Sequence, residues 1–182
     1  MRAVVPVLLL LCGFAHAAEL REVNMDKEDG VFMLRSVVWF DARPAPLYAV
    51  FINYDLAKQF SSFVAESRNL EPDENGRRRF YIRNEGCVWF FCKSFQRTGV
   101  VEHTFHTYIR STADAEQSDF ESSVETWTFE AEGEGTRVVY TWQLQPKFWV
   151  PPLIGPYVLR RKLERDSLRA LNRIEALARG ER

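Results

Sequence analysis

The spacing of hydrophobic and polar positions changes several times along the chain, and each change marks an element. Val31–Asp41 places Phe32, Leu34, Val38 and Phe40 on one face, the two-residue period of a half-buried strand. Arg43-Pro44-Ala45-Pro46 ends it, and proline suits the first turn of a helix. Leu47–Tyr54 reads as a short apolar helix, and Asp55 as the cap of a second short turn, Leu56–Phe60. The period returns to two at Phe63–Leu70. Asp73-Glu74-Asn75-Gly76 carries the Asn-Gly signal of a tight hairpin, with Arg77–Ile82 as the returning strand. Gly86 marks a bulge, and Cys87–Phe95, apolar on both faces, reads as one strand ending at a turn, Arg97-Thr98-Gly99. Val100–Ile109 then alternates, with Val101, His103, Phe105, Thr107 and Ile109 on one side. After a polar loop at 111–119, Phe120–Ala131 and Thr136–Gln145 form two strands around the turn Glu132-Gly133-Glu134-Gly135. Trp127 and Phe129 share a face of the first; Val138, Tyr140, Trp142 and Leu144 point inward from the second. The final helix, about Tyr157–Arg179, has an apolar stripe of Leu159, Leu163, Ser167, Ala170, Leu171, Ile174, Leu177 and Ala178 spaced by three and four.

A run of antiparallel strands followed by one long helix predicts an α+β domain. The expected form is a curved antiparallel sheet wrapped around the C-terminal helix, with two short helices after the first strand. A gap between sheet and helix is a favoured place for a ligand. The predicted domain spans 31–182, and residues 18–30, polar and acidic, read as a lead-in. Residues 1–17 read as a cleaved secretory signal: Arg2, then an uncharged run from Ala3 to Ala15, then Ala15-His16-Ala17 as a small-x-small cleavage pattern. The run is too short for a bilayer core, which takes about 20 residues. A lipoprotein reading of Cys12 is opposed by Leu11, which is not small. Export most simply places the chain in the periplasm.

Composition sharpens the interior. Apolar and charged fractions of 46% and 27% are ordinary for a folded domain. Fourteen Phe, six Tyr and five Trp are not, and they fit either a dense core or the walls of an apolar cavity. A formal charge of −1 argues against a nucleic-acid partner, which calls for a basic chain or stripe. Arg77, Arg78, Arg79 and Arg83 read as a solvated face of a hairpin. Cys87 and Cys92 on one extended strand would stand about 16 Å apart, beyond the ~7 Å limit of a disulfide. They are therefore expected as unpaired thiols unless the segment bends sharply. No metal site is expected: the cysteine spacing is wrong, and His103 and His106 on one strand would face opposite sides.

Three stretches resemble the START-like, or SRPBCC, helix-grip superfamily, which includes the polyketide cyclase/dehydrase family. They are Asp41-Ala42-Arg43-Pro44-Ala45 followed by Tyr54-Asp55; Ser118-Asp119-Phe120 with Trp127; and Gly135-Thr136-Arg137-Val138 leading to Pro146-Lys147-Phe148-Trp149-Val150-Pro151-Pro152-Leu153-Ile154-Gly155-Pro156. The last is similar to exported bacterial members. The resemblance covers about Val31 to Arg179 and implies the helix-grip fold with a cavity for a hydrophobic ligand, without fixing a reaction.

On strand phase, the cavity candidates are Phe80, Phe91, His103, Phe105, Trp127, Phe129, Tyr140 and Trp142. The stiff loop Phe148–Pro156 contributes lid or membrane-contact candidates: Phe148, Trp149, Val150, Leu153 and Ile154, with Arg160 and Arg161 close behind. Aromatic residues beside basic ones suit an anionic bilayer surface. The expectation is an exported protein that binds a lipid or isoprenoid-like molecule, without a cofactor, and carries it at a membrane. Two alternatives stand. One is a cyclase/dehydrase- or hydrolase-like enzyme using His103, with Glu125 as a conceivable orienter, or a cavity carboxylate; it requires a deep polar cluster with shifted pKa values. The other is an envelope interaction module in which Phe148–Pro156 docks a protein. G-x-S-x-G, P-loop, G-x-G-x-x-G and H-E-x-x-H signatures are absent.

Overall fold

The computed structural model describes residues 18–88, 91–151 and 156–181; the side chains of residues 88, 91, 156–160 and 162–166 lie outside that description. The first elements are strands β1 (Glu19–Glu28) and β2 (Val31–Phe40), helix α1 (Pro44–Phe51), a 3₁₀ turn at Tyr54–Leu56 and the single-turn helix α2 (Ala57–Phe60). Strands β3 (Val64–Leu70), β4 (Arg78–Val88), β5 (Phe91–Thr104), β6 (Tyr108–Ala113), β7 (Phe120–Glu132) and β8 (Gly135–Pro146) follow, then helix α3 (Pro156–Ala178). Among the described residues one antiparallel sheet of eight strands runs β1-β2-β8-β7-β6-β5-β4-β3. Helix α3 lies against β1, β2, β4, α1 and α2. This is the helix-grip arrangement, with the short helices after the second strand rather than the first.

Several segments depart from the expected reading. Residues 18–30 are not a lead-in: Glu19–Glu28 pairs with β2 from Glu19↔Trp39 to Glu28↔Val31. As an edge strand it buries little beyond Val23, and its charges suit an edge kept from pairing with other chains. The segment expected as one strand across the cysteines is a hairpin. β4 ends at Val88, β5 begins opposite it at Phe91, and Cys87 faces Cys92 with Cα atoms 4.0 Å apart, joined as a disulfide. Arg97-Thr98-Gly99 is strand interior. Gly99 is needed for close approach, because a Cβ there would meet the Thr112 carbonyl oxygen at 2.0 Å. Val100–Ile109 is instead broken into β5 and β6 by a turn in which His106 takes φ +65°. The Asp73–Gly76 turn forms, with Gly76 at φ +73° and the Asp73 carboxylate accepting from the Asn75 and Arg77 amides, but inside a longer connection, 71–77, rather than as the expected tight hairpin.

The short helices are fixed by local chemistry. Pro44 and Pro46 occupy the first turn of α1, where missing N–H groups cost little. Asn53, not Asp55, caps the next turn by accepting from Asp55 N. Asp55 instead accepts from the Asn69 backbone and side-chain amides at 3.0 and 2.8 Å, tying the turn to β3. At the far end of the chain, buried Glu175 accepts from Asp41 N at 2.9 Å, and Arg179 bonds the Asp41 carbonyl and carboxylate. This clamp anchors the C-terminal half of α3, whose Leu171 and Ile174 enter the core.

The core has two parts. The larger gathers Val38, Phe40, Leu47, Phe80, Ile82, Val101, Ile109, Phe129, Val138, Leu171 and Ile174 toward the α1 end of the sheet. The smaller gathers Phe32, Phe120 and Leu144, with Phe95, Trp142, Phe148 and Val150 packed on them, at the opposite end.

Candidate functional site

Between the two apolar clusters the concave face carries a band of buried polar groups. Pairing explains the convergence: Ser111 on β6 faces Glu125 on β7, which faces Trp142 on β8. Arg97 lies on β5 beyond Ile82 of β4, which is flanked on its other side by Ser67 of β3. Residues at alternate positions of each strand share a face, so the same side of the sheet collects all of them.

At the centre Arg97 Nη1 and Glu125 Oε2 are 2.9 Å apart, with side chains only 4% and 7% exposed. Ser111 donates to the same Glu125 oxygen at 3.2 Å, and Tyr140 Oη donates to the other at 2.8 Å. The Arg97 guanidinium lies 4.8 Å from the Trp142 ring centroid, and Trp142 Nε1 donates to Ser123 Oγ at 3.0 Å. Above them Tyr54 is buried and stacks on Phe80 at a 4.7 Å centroid distance. Burial works against the Arg97 charge, but Glu125 outweighs it and holds the guanidinium pKa above its ordinary value. Burial, and next the Glu125 charge, push the phenols of Tyr54 and Tyr140 above their ordinary range. At neutral pH both tyrosines are therefore protonated donors.

Three buried polar atoms of this region, Ser67 Oγ, Asn84 Oδ1 and Arg97 Nε, have no hydrogen-bond partner among the described residues, while the Tyr54 hydroxyl is set against Ser111. Each such group costs about 1–3 kcal/mol when left unsatisfied, and native interiors contain few of them.

The cavity candidates divide three ways. Trp127, Tyr140 and Trp142 are half-buried on the concave face, Trp127 against Phe51 and Tyr140. Phe80 and Phe129 are filled core. His103 and Phe105 lie instead toward the α1 end, and Phe105 is 71% exposed because the turn after Thr104 ends the alternation that would have placed it inside. His103 Nδ1 is 2.7 Å from Tyr48 Oη, while Glu125 is engaged by Arg97, so the two do not form an acid–base pair. The His106 ring also lies against Tyr48, so the two histidines share a neighbour rather than facing apart. Nearby, an open groove of about 580 Å³ is lined by Arg43, Pro44, Pro46, His106, Thr107 and Phe129. The Phe91 side chain lies outside the described residues.

Of the loop candidates, Phe148 is half-buried against Phe95 and Phe120, with Lys93 Nζ 4.7 Å from its ring centroid. Trp149 is 71% exposed and Val150 half-buried. Arg161 is exposed. Leu153, Ile154 and the Arg160 side chain lie outside the described residues. The sequence reading missed Tyr54, Ser67, Asn84, Arg97 and Ser111. The available signal was the break in apolar alternation at Asn84, Arg97 and Ser111, within otherwise inward-facing rows.

Solved structures share this fold. The START superfamily protein from Mycobacterium smegmatis superposes with a TM-score of 0.63 at 16% identity, covering 80% of this chain and 98% of that one. The STAR-related lipid transfer protein from Xanthomonas axonopodis gives 0.59 at 15% identity, covering 86% and 98%. The Zhui aromatase/cyclase from Streptomyces sp. R1128 gives 0.59 at 14% identity, covering 82% and 94%. No curated protein matches the chain significantly. The model of the family "Polyketide cyclase / dehydrase and lipid transport" matches residues 33–179. With nearly all of β2 to α3 inside that match, the chain belongs to this family.

Proposed function

We propose that this protein is exported, binds one lipid or isoprenoid-like molecule on its concave face under α3, and carries it at a membrane surface. The observation that carries this reading is the layering of that face: apolar cluster, polar band with unsatisfied groups, aromatic cluster. A ligand with an apolar body and a polar group matches both parts. Removing its apolar area from water contributes about 25 cal/mol per Å².

Exposed Trp149 beside half-buried Phe148, with Lys93, Lys147 and Arg161 in nearby sequence or contact, supports a membrane-touching edge at the aromatic end. The Cys87–Cys92 disulfide and the signal-like residues 1–17 both support export, since disulfides persist in oxidising compartments. The enzyme alternative gains the deep polar cluster it requires but lacks a free base there. Both Glu125 oxygens already accept hydrogen bonds, and the buried tyrosines stay protonated.

The test is titration of the disulfide-bonded protein, without residues 1–17, with the neutral fluorophore N-phenyl-1-naphthylamine. The expected result is a saturable fluorescence increase at one probe per chain. A linear, non-saturating response contradicts the reading.

A further inference from the structure

The open groove at the α1 end lies apart from the polar band and has its own chemistry. It is bounded by the start of α1, the turn between β5 and β6, and the end of β7. Along the inward face of β7, Trp127 and Phe129 stand between Glu125 in the polar band and Ala131 in the groove. The Phe129 ring packs on Phe51 at 5.5 Å, and Phe51 on Trp127 at 6.2 Å. The groove's volume of about 580 Å³ falls within the range of small-molecule sites. Pro44, Pro46, Phe129 and Ala131 make most of its lining apolar. His106 adds an aromatic wall. Its backbone sits at φ +65°, where a non-glycine residue is strained, and its imidazole meets the Tyr48 ring edge-on at 5.6 Å. A glycine would relieve the strain but remove the wall.

Charge selects the occupant. Arg43 is exposed, is the one lysine or arginine among the lining residues, and no carboxylate lines the groove. The carboxylates that flank the groove residues in sequence are engaged elsewhere: Asp41 by Arg179 at 2.6 Å, Glu130 by Arg137 at 2.6 Å and Glu132 by Arg21 at 2.5 Å. Arg43 itself has no ion pair among the described residues. A guanidinium in that state suits a carboxylate, which it can hold through two parallel hydrogen bonds. A phosphate would bring a second charge that no other arginine or lysine of the lining can match. The proline, phenylalanine and imidazole rings suit a flat aromatic body.

We propose that this groove binds a small aromatic carboxylate, with its ring against Pro44, Pro46, Phe129 and His106 and its carboxylate on Arg43. The site is separate from the concave-face ligand site, and neither requires the other.

The experiment titrates nitrogen-15-labelled, disulfide-bonded protein at neutral pH and low salt with 2-naphthoate and with the neutral 2-naphthamide, following the backbone amide and indole signals. Naphthoate is expected to move the amides of Ala45, His106, Thr107 and Ala131 saturably and to bind about tenfold more tightly than naphthamide. Arg43→Gln changes an exposed side chain that makes no capping bond to α1, so it should keep the Tm and the naphthamide affinity. It should bring naphthoate to within about twofold of naphthamide. The proposal is overturned if naphthoate leaves those amides unmoved, or if its shifts centre instead on the indole signals of Trp127 and Trp142. It is equally overturned if the two probes bind the wild-type protein alike, or if the preference for naphthoate survives in Arg43→Gln.

Discussion

At the scale of single residues, Glu125 decides what the interior can do. It accepts from Arg97, Ser111 and Tyr140, so its role is to keep an arginine charged and oriented rather than to take a proton from a substrate. A buried ion pair of this kind adds little net stability against a hydrophobic replacement. The buried phenols give a pH signature. Tyr54 and Tyr140 have folded-state pKa values raised above the ordinary value of 10.0, so the folded protein favours their protonated forms. Their contribution is fully present below about pH 10 and is lost as pH rises toward the folded-state values. Urea-unfolding free energies should show no pH dependence from these groups up to about pH 10 and a decline above it, shallower in Tyr54→Phe than in wild type. These residues were hard to see in the sequence because a buried arginine looks like a loop residue. Arg97 beside Thr98 and Gly99 carries every mark of a turn, and only the partner Glu125, 28 positions along, makes its burial affordable.

At the scale of elements, the hairpin between β4 and β5 is held by its disulfide. The bond closes a loop of only a few residues, so its stabilising effect through the unfolded chain is about 2 kcal/mol. Replacing Cys87→Ser and Cys92→Ser together should lower the urea-unfolding free energy by about that amount; both positions are exposed, so no cavity adds to the loss. The β2, β7, β8 and α3 elements were legible because each repeats its period over many residues. The two hairpins inside 87–109 were not. Apolar residues on both faces run through the first, hiding the reversal that puts Cys87 opposite Cys92, and the second turns on His106 with no glycine at all. β1 was missed for a third reason: an edge strand with one buried side chain, Val23, leaves almost no alternation to read.

At the scale of the whole molecule, the sheet is divided along its strands. The α1 end is closed by core and by the Asp41–Glu175–Arg179 clamp; the opposite end carries the aromatic cluster and exposed Trp149. A carrier that opens at the aromatic end would touch a bilayer there. Trp149→Ser should weaken co-sedimentation with vesicles containing anionic lipid by about tenfold at low salt. Unchanged binding, or none in either form, removes the membrane step while leaving the ligand site standing. The family and the strand-helix plan were readable from Pro44, Tyr54-Asp55 and the 146–156 segment; the division into apolar and polar layers emerges only when the strands are paired. The most direct measurement is native mass spectrometry of the protein purified from the compartment to which its host delivers it, followed by solvent extraction. The account predicts a mass excess of one bound molecule per chain, recovered in the solvent as a lipid or isoprenoid-like molecule. A chain of bare mass that also takes up no neutral hydrophobic probe would contradict it.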